Sequence, residues 1–260
     1  AVWRARHLLD VVRAFLPTPL DAEPPADAGW ERMAHQAPQA HAHYLDLADV
    51  KGQAAARRAL EIAAAGGSAM AVPTHLGDTG AIDELVAATV ERFGGIDIVV
   101  NNAANPLALP IGAITAEAFA KSFETNLRGP VFLVQSALPH LRASEHAAVV
   151  NVVTSGIFTH GQHVSMYVAM KSALMSMTRS MAAELVGDGI RVNAIAPGTV
   201  RTDMVTNTPE EFQQAAIDAQ LMRRMADPAE MVPGALFLAS EASSFMTGHV
   251  LVLDGGLAVH

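Results

Sequence analysis

Ala148-Val149-Val150-Asn151-Val152-Val153, followed by a helical pattern over residues 165–186 and then by Ile190-Arg191-Val192-Asn193-Ala194-Ile195-Ala196, decides the fold. Both flanking runs are short, apolar and rich in Val or Ile, as strands buried on both faces must be. The stretch between them is too long for a strand and closes at Gly187, where a left-handed C-terminal cap is wanted. A strand, a helix and a strand in succession build one unit of a parallel sheet. The alternation continues outward from this unit. Residues 69–73, 96–100 and 249–253 read as further strands, and residues 51–65, 80–93, 115–142 and 228–239 as helices. Gly66-Gly67 and Gly94-Gly95 end two of those helices, and Asp227-Pro228-Ala229-Glu230 starts another with Asp as N-cap and Pro in the first helical position. The expectation is α/β, one globular domain over residues 1–260, with no internal repeat.

Bulk composition narrows the function. Acidic residues outnumber basic ones 26 to 17, a formal charge of −9, which disfavours a phosphate-backbone binder and leaves a small molecule as the expected partner, with no nucleic acid. The chain has no cysteine, so thiolate metal sites and cysteine nucleophiles are excluded. No run approaches the ~20 apolar residues that span a bilayer. Arg4, Arg6, Asp10 and Arg13 interrupt the apolar run that a signal peptide needs, so the default expectation is a cytoplasmic protein with no membrane association. Residues 1–50 differ in kind: Pro17, Pro19, Pro24, Pro25 and Pro38 break the apolar pattern.

Tyr167 and Lys171 carry the strongest chemical signal. The chain holds two tyrosines and three lysines, yet one of each stands four residues apart on a predicted helix and therefore on one face. A free phenol, with a pKa of about 10, is a poor base near neutrality, and a neighbouring cation favours the phenolate. The pair can therefore act as an acid/base catalyst, with Tyr167 moving the proton and Lys171 tuning it.

With Asn101-Asn102-Ala103, Asn126, Thr154-Ser155 and Pro197-Gly198 beside that pair, the chain over residues 50–260 resembles the short-chain dehydrogenase/reductase family in its classical type. The resemblance implies a single Rossmann-type doubly wound parallel sheet and a nicotinamide cofactor, NAD or NADP, across the carboxyl ends of the strands. It implies hydride exchange between a secondary alcohol and a ketone, and a homo-oligomer, dimer or tetramer. Tyr167 would be the acid/base, and Lys171 would also hydrogen-bond the nicotinamide ribose. A hydroxyl would hold the substrate oxygen. Spacing selects Thr154, thirteen residues before Tyr167, whereas the family's usual serine is matched chemically by Ser155, so both stand. Asn126 would open its helix and support Lys171 through a water. Asn101 and Ala103 would lie beside the adenine ribose. Pro197, Gly198, Val200 and Thr202 would cover the nicotinamide carboxamide, and residues 203–225 would form the substrate lid.

Three places depart from the family pattern, one of them Ala104, which stands where the family's usual residue is Gly. The glycine-rich loop expected in the first strand-helix turn is missing, and Pro17 to Pro25 with Asp21 and Glu23 stand in its region. There, carboxylates would repel a pyrophosphate and prolines would remove amide donors. A looser alignment of Gly29 to Ala34 and His43 to Asp46 places Asp46 where an acid binds the adenosine ribose, favouring NAD over NADP. His75 replaces the usual Asp near the adenine. The pairs His41/His43 and His160/His163 lack a third ligand, so no metal is expected. His160 and His163 instead lie where they would shape specificity at the substrate mouth. Met166, Met170, Met177 and Met181 share one face of the Tyr167 helix, as core or subunit interface.

Overall fold

The computed structural model describes residues 68–258, together with the backbone of two short strands nearer the N-terminus. Those strands, β1 (Trp3–Ala5) and β2 (Trp30–Arg32), pair antiparallel with Trp3 opposite Arg32. Backbone contacts divide the chain into two units, Ala1–Ala71 and Val72–His260. The expected helix at 51–65, the Pro-rich stretch and Asp46 lie outside the described residues.

The second unit is built as the alternation predicts. Its elements are α1 (Thr79–Phe93), β3 (Ile98–Asn101), α2 (Ala116–Phe123), a π-helical turn (Glu124–Arg128), α3 (Gly129–Ala143), β4 (Ala148–Val152), α4 (Ser165–Leu185), β5 (Arg191–Pro197), α5 (Asp203–Thr206), α6 (Glu210–Asp218), α7 (Val232–Ala239) and β6 (Val250–Leu253). The sheet order is β3-β4-β5-β6, every pair parallel, with Val150 opposite both Val100 and Asn193. Helices cover both faces. On one, Val149 and Val192 pack with Leu141 and Leu185, and Ala194 and Ala196 pack with Leu174 of α4. On the other, Val150 and Ile195 meet Leu238 of α7. Adjacent strand residues thus face opposite helical layers, which is why these strands read as continuous apolar runs. Of the methionine stripe, Met170 and Met181 are buried, Met177 packs half-buried against the core, and Met166 is half-buried.

Local signals explain the boundaries. Asp78 caps α1 by accepting from the N–H of Gly80 and Ala81, and Gly94 closes it at φ 86°. Thr115 accepts from Ala118 N–H at the start of α2. Asp227 and Glu230 form a reciprocal capping box ahead of α7, and the first turn there is a tight 3-10 turn, Pro228–Met231. After α4 the left-handed residue is Gly189 at φ 75°, not Gly187, because a 3-10 turn (Val186–Asp188) extends the helix end. Residues 69–73 correct one expectation, since they form no strand. That segment has a single β-branched residue, Val72, and Pro73 has no N–H to give a ladder.

A buried polar chain crosses the apolar layers. Asn101 Nδ2 donates to Asn151 Oδ1 at 2.8 Å, Asn151 Nδ2 donates to Thr178 Oγ1 at 2.9 Å, and Thr178 Oγ1 donates to Leu174 O at 2.9 Å. It ties β3 to β4 and β4 to α4 at defined registers. Replacing Asn151 by Val would leave the Asn101 amide without its acceptor in the core and strip Thr178 Oγ1 of the bond it accepts. Asn151→Val is therefore expected to lower unfolding free energy by about 2–4 kcal/mol in urea titration, well beyond the loss of one exposed hydrogen bond.

Candidate active site

The carboxyl ends of β3, β4 and β5 open into a cleft of about 570 Å³. Its floor is apolar, with Val100, Val152, Val153 and Ile195, and its polar side chains come from loops and from α4. Lys171 is only 1% exposed. Its Nζ donates to the carbonyl of Val152, the last residue of β4, at 2.8 Å. The ammonium lies 5.9 Å from the centre of the Tyr167 ring, one helical turn earlier, and both residues line the cleft. No carboxylate pairs with this cation in the described residues. Burial accordingly pulls Lys171 down to about 8 and pushes the Tyr167 phenol up to about 12. The expected lowering of the phenol by its cation is thus outweighed by desolvation, and the lysine's hydrogen bond goes to Val152.

Of the two adjacent hydroxyls, Thr154 lines the cleft with Tyr167 and Lys171. Its Oγ1 also accepts from Gly156 N–H at 3.2 Å, capping a 3-10 turn (Ser155–Phe158) and leaving its own O–H free to donate. Ser155 is fully buried, its Oγ without a partner, and it does not line the cleft. The turn begun by Thr154 rotates the following side chain inward.

Asn126 lies in the π-helical turn between α2 and α3, so the helix is opened where an asparagine was read as disruptive. Its Oδ1 accepts from Asn105 N–H at 3.1 Å, and its Nδ2 donates to Asn105 O at 2.8 Å and Ser122 O at 3.0 Å. The amide therefore holds the loop that follows β3. In that loop Asn102, Ala103 and Ala104 face the cleft. Asn101, expected beside the adenine ribose, does not line the cleft: its side chain is buried and donates to Asn151 inside the sheet. Asn102, its neighbour, was not singled out. An Asn at a strand end reads equally as turn former or ligand, and only the pleat decides which one points outward.

After β5, Pro197, Gly198, Val200 and Thr202 all line the cleft. A Cβ at Gly198 would lie 2.7 Å from Asp254 Cα, so only glycine lets this loop pass against the end of β6. The expected lid holds α5 and α6, and Met204 and Val205 reach the cleft. His163 is exposed and meets the ring of Phe212 on α6 edge-on at 6.3 Å. Neither His163 nor His160 lines the cleft, although His163 touches the lid. His75 Nδ1 accepts from Gly77 N–H at 3.1 Å, the turn-closing bond that a carboxylate could make there.

Among the described residues no group of three or more His, Asp or Glu could hold a metal, and no helix is long and apolar enough to cross a membrane. The donors left over suit the nicotinamide side of a dinucleotide. Lys171 has spent one of three N–H groups, Thr202 Oγ1 makes only a 3.5 Å contact to Val200 O, and the floor is apolar.

Fold and cleft define a Rossmann-type protein with a Tyr/Lys centre. Residues 31–258 match the family model described as enoyl-(acyl carrier protein) reductase. A 3-oxoacyl-(acyl-carrier-protein) reductase of Thermotoga maritima is 34% identical over 183 residues, 70% of this chain and 74% of that protein. Galactitol 2-dehydrogenase of Agrobacterium fabrum is 36% identical over 213 residues, 77% of this chain and 83% of that one. A solved blue fluorescent protein from a metagenomic library, in complex with NADPH, superposes with TM-score 0.75 at 28% identity, covering 80% of this chain and 83% of that one. The chain belongs to the short-chain dehydrogenase/reductase family, whose members are nicotinamide-dependent oxidoreductases.

The buried ammonium carries a testable cost. Between about 8 and 10.5 the unfolded chain binds more protons at Lys171 than the folded one, so stability rises with pH across that window. Below it the penalty is complete. Lys171→Met should therefore stabilise the fold by about 2–3 kcal/mol at pH 7, the gain shrinking as pH approaches 10, in calorimetric melts of both proteins.

Proposed function

We propose that this chain is an NAD(P)-dependent oxidoreductase that interconverts a secondary alcohol and a ketone. The observation that carries the reading is the shared cleft of Tyr167, Lys171 and Thr154 at the carboxyl ends of the central strands. When bound there, the nicotinamide supplies the carbon that gives or takes the hydride. The chain's own groups manage the proton and the oxygen. Tyr167, whose phenol burial raises to about 12, is neutral at physiological pH and has an O–H to donate to a carbonyl oxygen that gains charge. Thr154 offers the second hydrogen bond to that oxygen, which stabilises it most as negative charge develops. We assign this role to Thr154 over Ser155, since Ser155 is buried away from the cleft. Lys171, mostly charged at pH 7, stands near the phenol and keeps donors for a ribose hydroxyl, while Asn126 holds the loop that lines the cleft through Asn102 and Ala103.

Pro197, Gly198, Val200 and Thr202 would seat the carboxamide, Ala103 and its neighbours would flank the adenosine side, and Asp46 would meet its ribose. NAD is favoured over NADP only through Asp46. The lid of α5 and α6 would close over a small substrate and exclude water, with His163 and Phe212 at its edge. Assembly into a dimer or tetramer, a cytoplasmic location and one domain over residues 1–260 complete the proposal. The missing glycine loop favours a second reading, a family member that has lost dinucleotide binding and serves as a binding or scaffold module.

Titration with NADH and NADPH separates the two readings. Saturable fluorescence change or thermal stabilisation by either dinucleotide is expected, and its absence with both would overturn the oxidoreductase reading. In the active protein, Tyr167→Phe should reduce turnover by at least about a thousandfold with dinucleotide affinity little changed. Thr154→Val should cost about a hundredfold in kcat, while Thr154→Ser and Ser155→Ala should each remain within about tenfold of the parent. Ketone-reduction rates across pH 6–10 for these variants would show which hydroxyl is required; loss of activity in Ser155→Ala alone would reverse the assignment.

A further inference from the structure

Gln220 follows the lid helix α6 and is only 3% exposed, although it sits in a polar segment with no apolar pattern. A buried primary amide must find partners for both its ends. Here they belong to two different segments. Oε1 accepts from the N–H of Thr199 at 3.0 Å, in the loop after β5, and Nε2 donates to Arg224 O at 2.8 Å, across a turn in which Arg223 takes φ 38°. Backbone bonds fasten the same segment as well. Ala226 N donates to Thr199 O, Arg201 N donates to Ala226 O, both at 2.9 Å, and Met222 N donates to Gly255 O at 2.9 Å.

These bonds leave residues 203–219, including both lid helices, strung between two fixed ends: Thr202 on one side and Gln220 on the other. The loop from Pro197 to Thr202 lines the cleft through Pro197, Gly198, Val200 and Thr202, whereas Thr199 points the other way and is buried. The middle of the loop is therefore held at Thr199 N–H by the side-chain amide of Gln220, while Thr206 Oγ1 donates to Thr202 O at its far end.

We propose that Gln220 is a positioning residue that fixes the loop 197–202 against the returning end of the lid and so sets the affinity for the dinucleotide. The inference rests on the oxidoreductase reading above. Gln220 touches neither the cleft nor the proposed catalytic groups. Its removal should loosen the loop and weaken dinucleotide binding while sparing proton transfer at Tyr167. The charged groups around the small cavity beside it are Arg224, Glu230 and Asp254, with Arg224 paired to Glu230 at 2.7 Å.

The test compares Gln220→Met and Gln220→Glu with the parent. Gln220→Met keeps the length but neither hydrogen bond, and should weaken NADH or NADPH binding about tenfold, with kcat at saturation within about twofold and faster hydrogen exchange at Thr199 N–H. Gln220→Glu supplies the discriminating readout. Its carboxylate repels Arg224 O at about pH 8, whereas the protonated acid reproduces the amide's donor and acceptor, so affinity should return to the parental value near about pH 5.5 while the parent changes little. That recovery decides the matter even if Gln220→Met does not fold. Parental affinity and exchange in both variants, accompanied only by a lower melting temperature, would overturn the proposal and leave the oxidoreductase reading intact. Failure of the parent to bind either dinucleotide would overturn both together.

Discussion

A buried ammonium held by one strand-end carbonyl is the constraint around which the cleft is arranged. Lys171 reaches through an apolar floor to Val152 O, so α4 must cross β4 at the height where that carbonyl ends the ladder. This crossing brings Tyr167, one turn earlier on α4, into the same cleft as Thr154, two residues beyond β4. A solvated lysine would impose no such register. Because desolvation of an unpaired cation is costly, the position is retained at the expense of stability, as is common where a site serves chemistry.

The apolar layers alone would not fix that register. Val149, Val150, Val192 and Ile195 could pack against α4 and α7 with the strands slipped, since residues of similar size repeat along each run. Amides remove the degeneracy. Asn151 can pair Asn101 and Thr178 in only one alignment, and Asn193 does the same for the entry to β6, donating to Met246 O at 2.8 Å and accepting from His249 N–H at 3.0 Å. Buried polar groups of this kind gain little net energy when satisfied and cost much when misaligned, so they select one structure among near-equals.

The parts of this design that were legible in the sequence are those with a period or a cap. The strands at 148–152 and 191–197 are β-branched runs, and Thr115, Asp227 and Gly94 mark helix ends through chemistry that works within one turn. Asn126 was legible as a disruption, and the π-helical turn is its form. What escaped depends on facing. Thr154 and Ser155 are chemically near-equivalent neighbours, and the turn that sends one into the cleft and the other into the core is a tertiary outcome. Asn101 and Asn102 part for the same reason, the first side chain joining the buried network and the second residue lining the cleft. Gln220 is indistinguishable by pattern from Gln213 and Gln214 on the exposed lid helix; only the approach of Thr199 from a segment twenty-one residues away gives it partners.

The state of the acid/base pair follows from that placement. A cation close to a phenol lowers its pKa when their interaction exceeds the burial cost, but here the ammonium faces Val152 O, and the ring centre is 5.9 Å away. Burial therefore governs both groups and drives each toward its neutral form, Tyr167 to about 12 and Lys171 to about 8. Any ligand that is to bring the phenol toward its charged form must therefore carry positive charge or hydrogen-bond donors into the cleft, because the protein's own groups leave the cost of burial unmet.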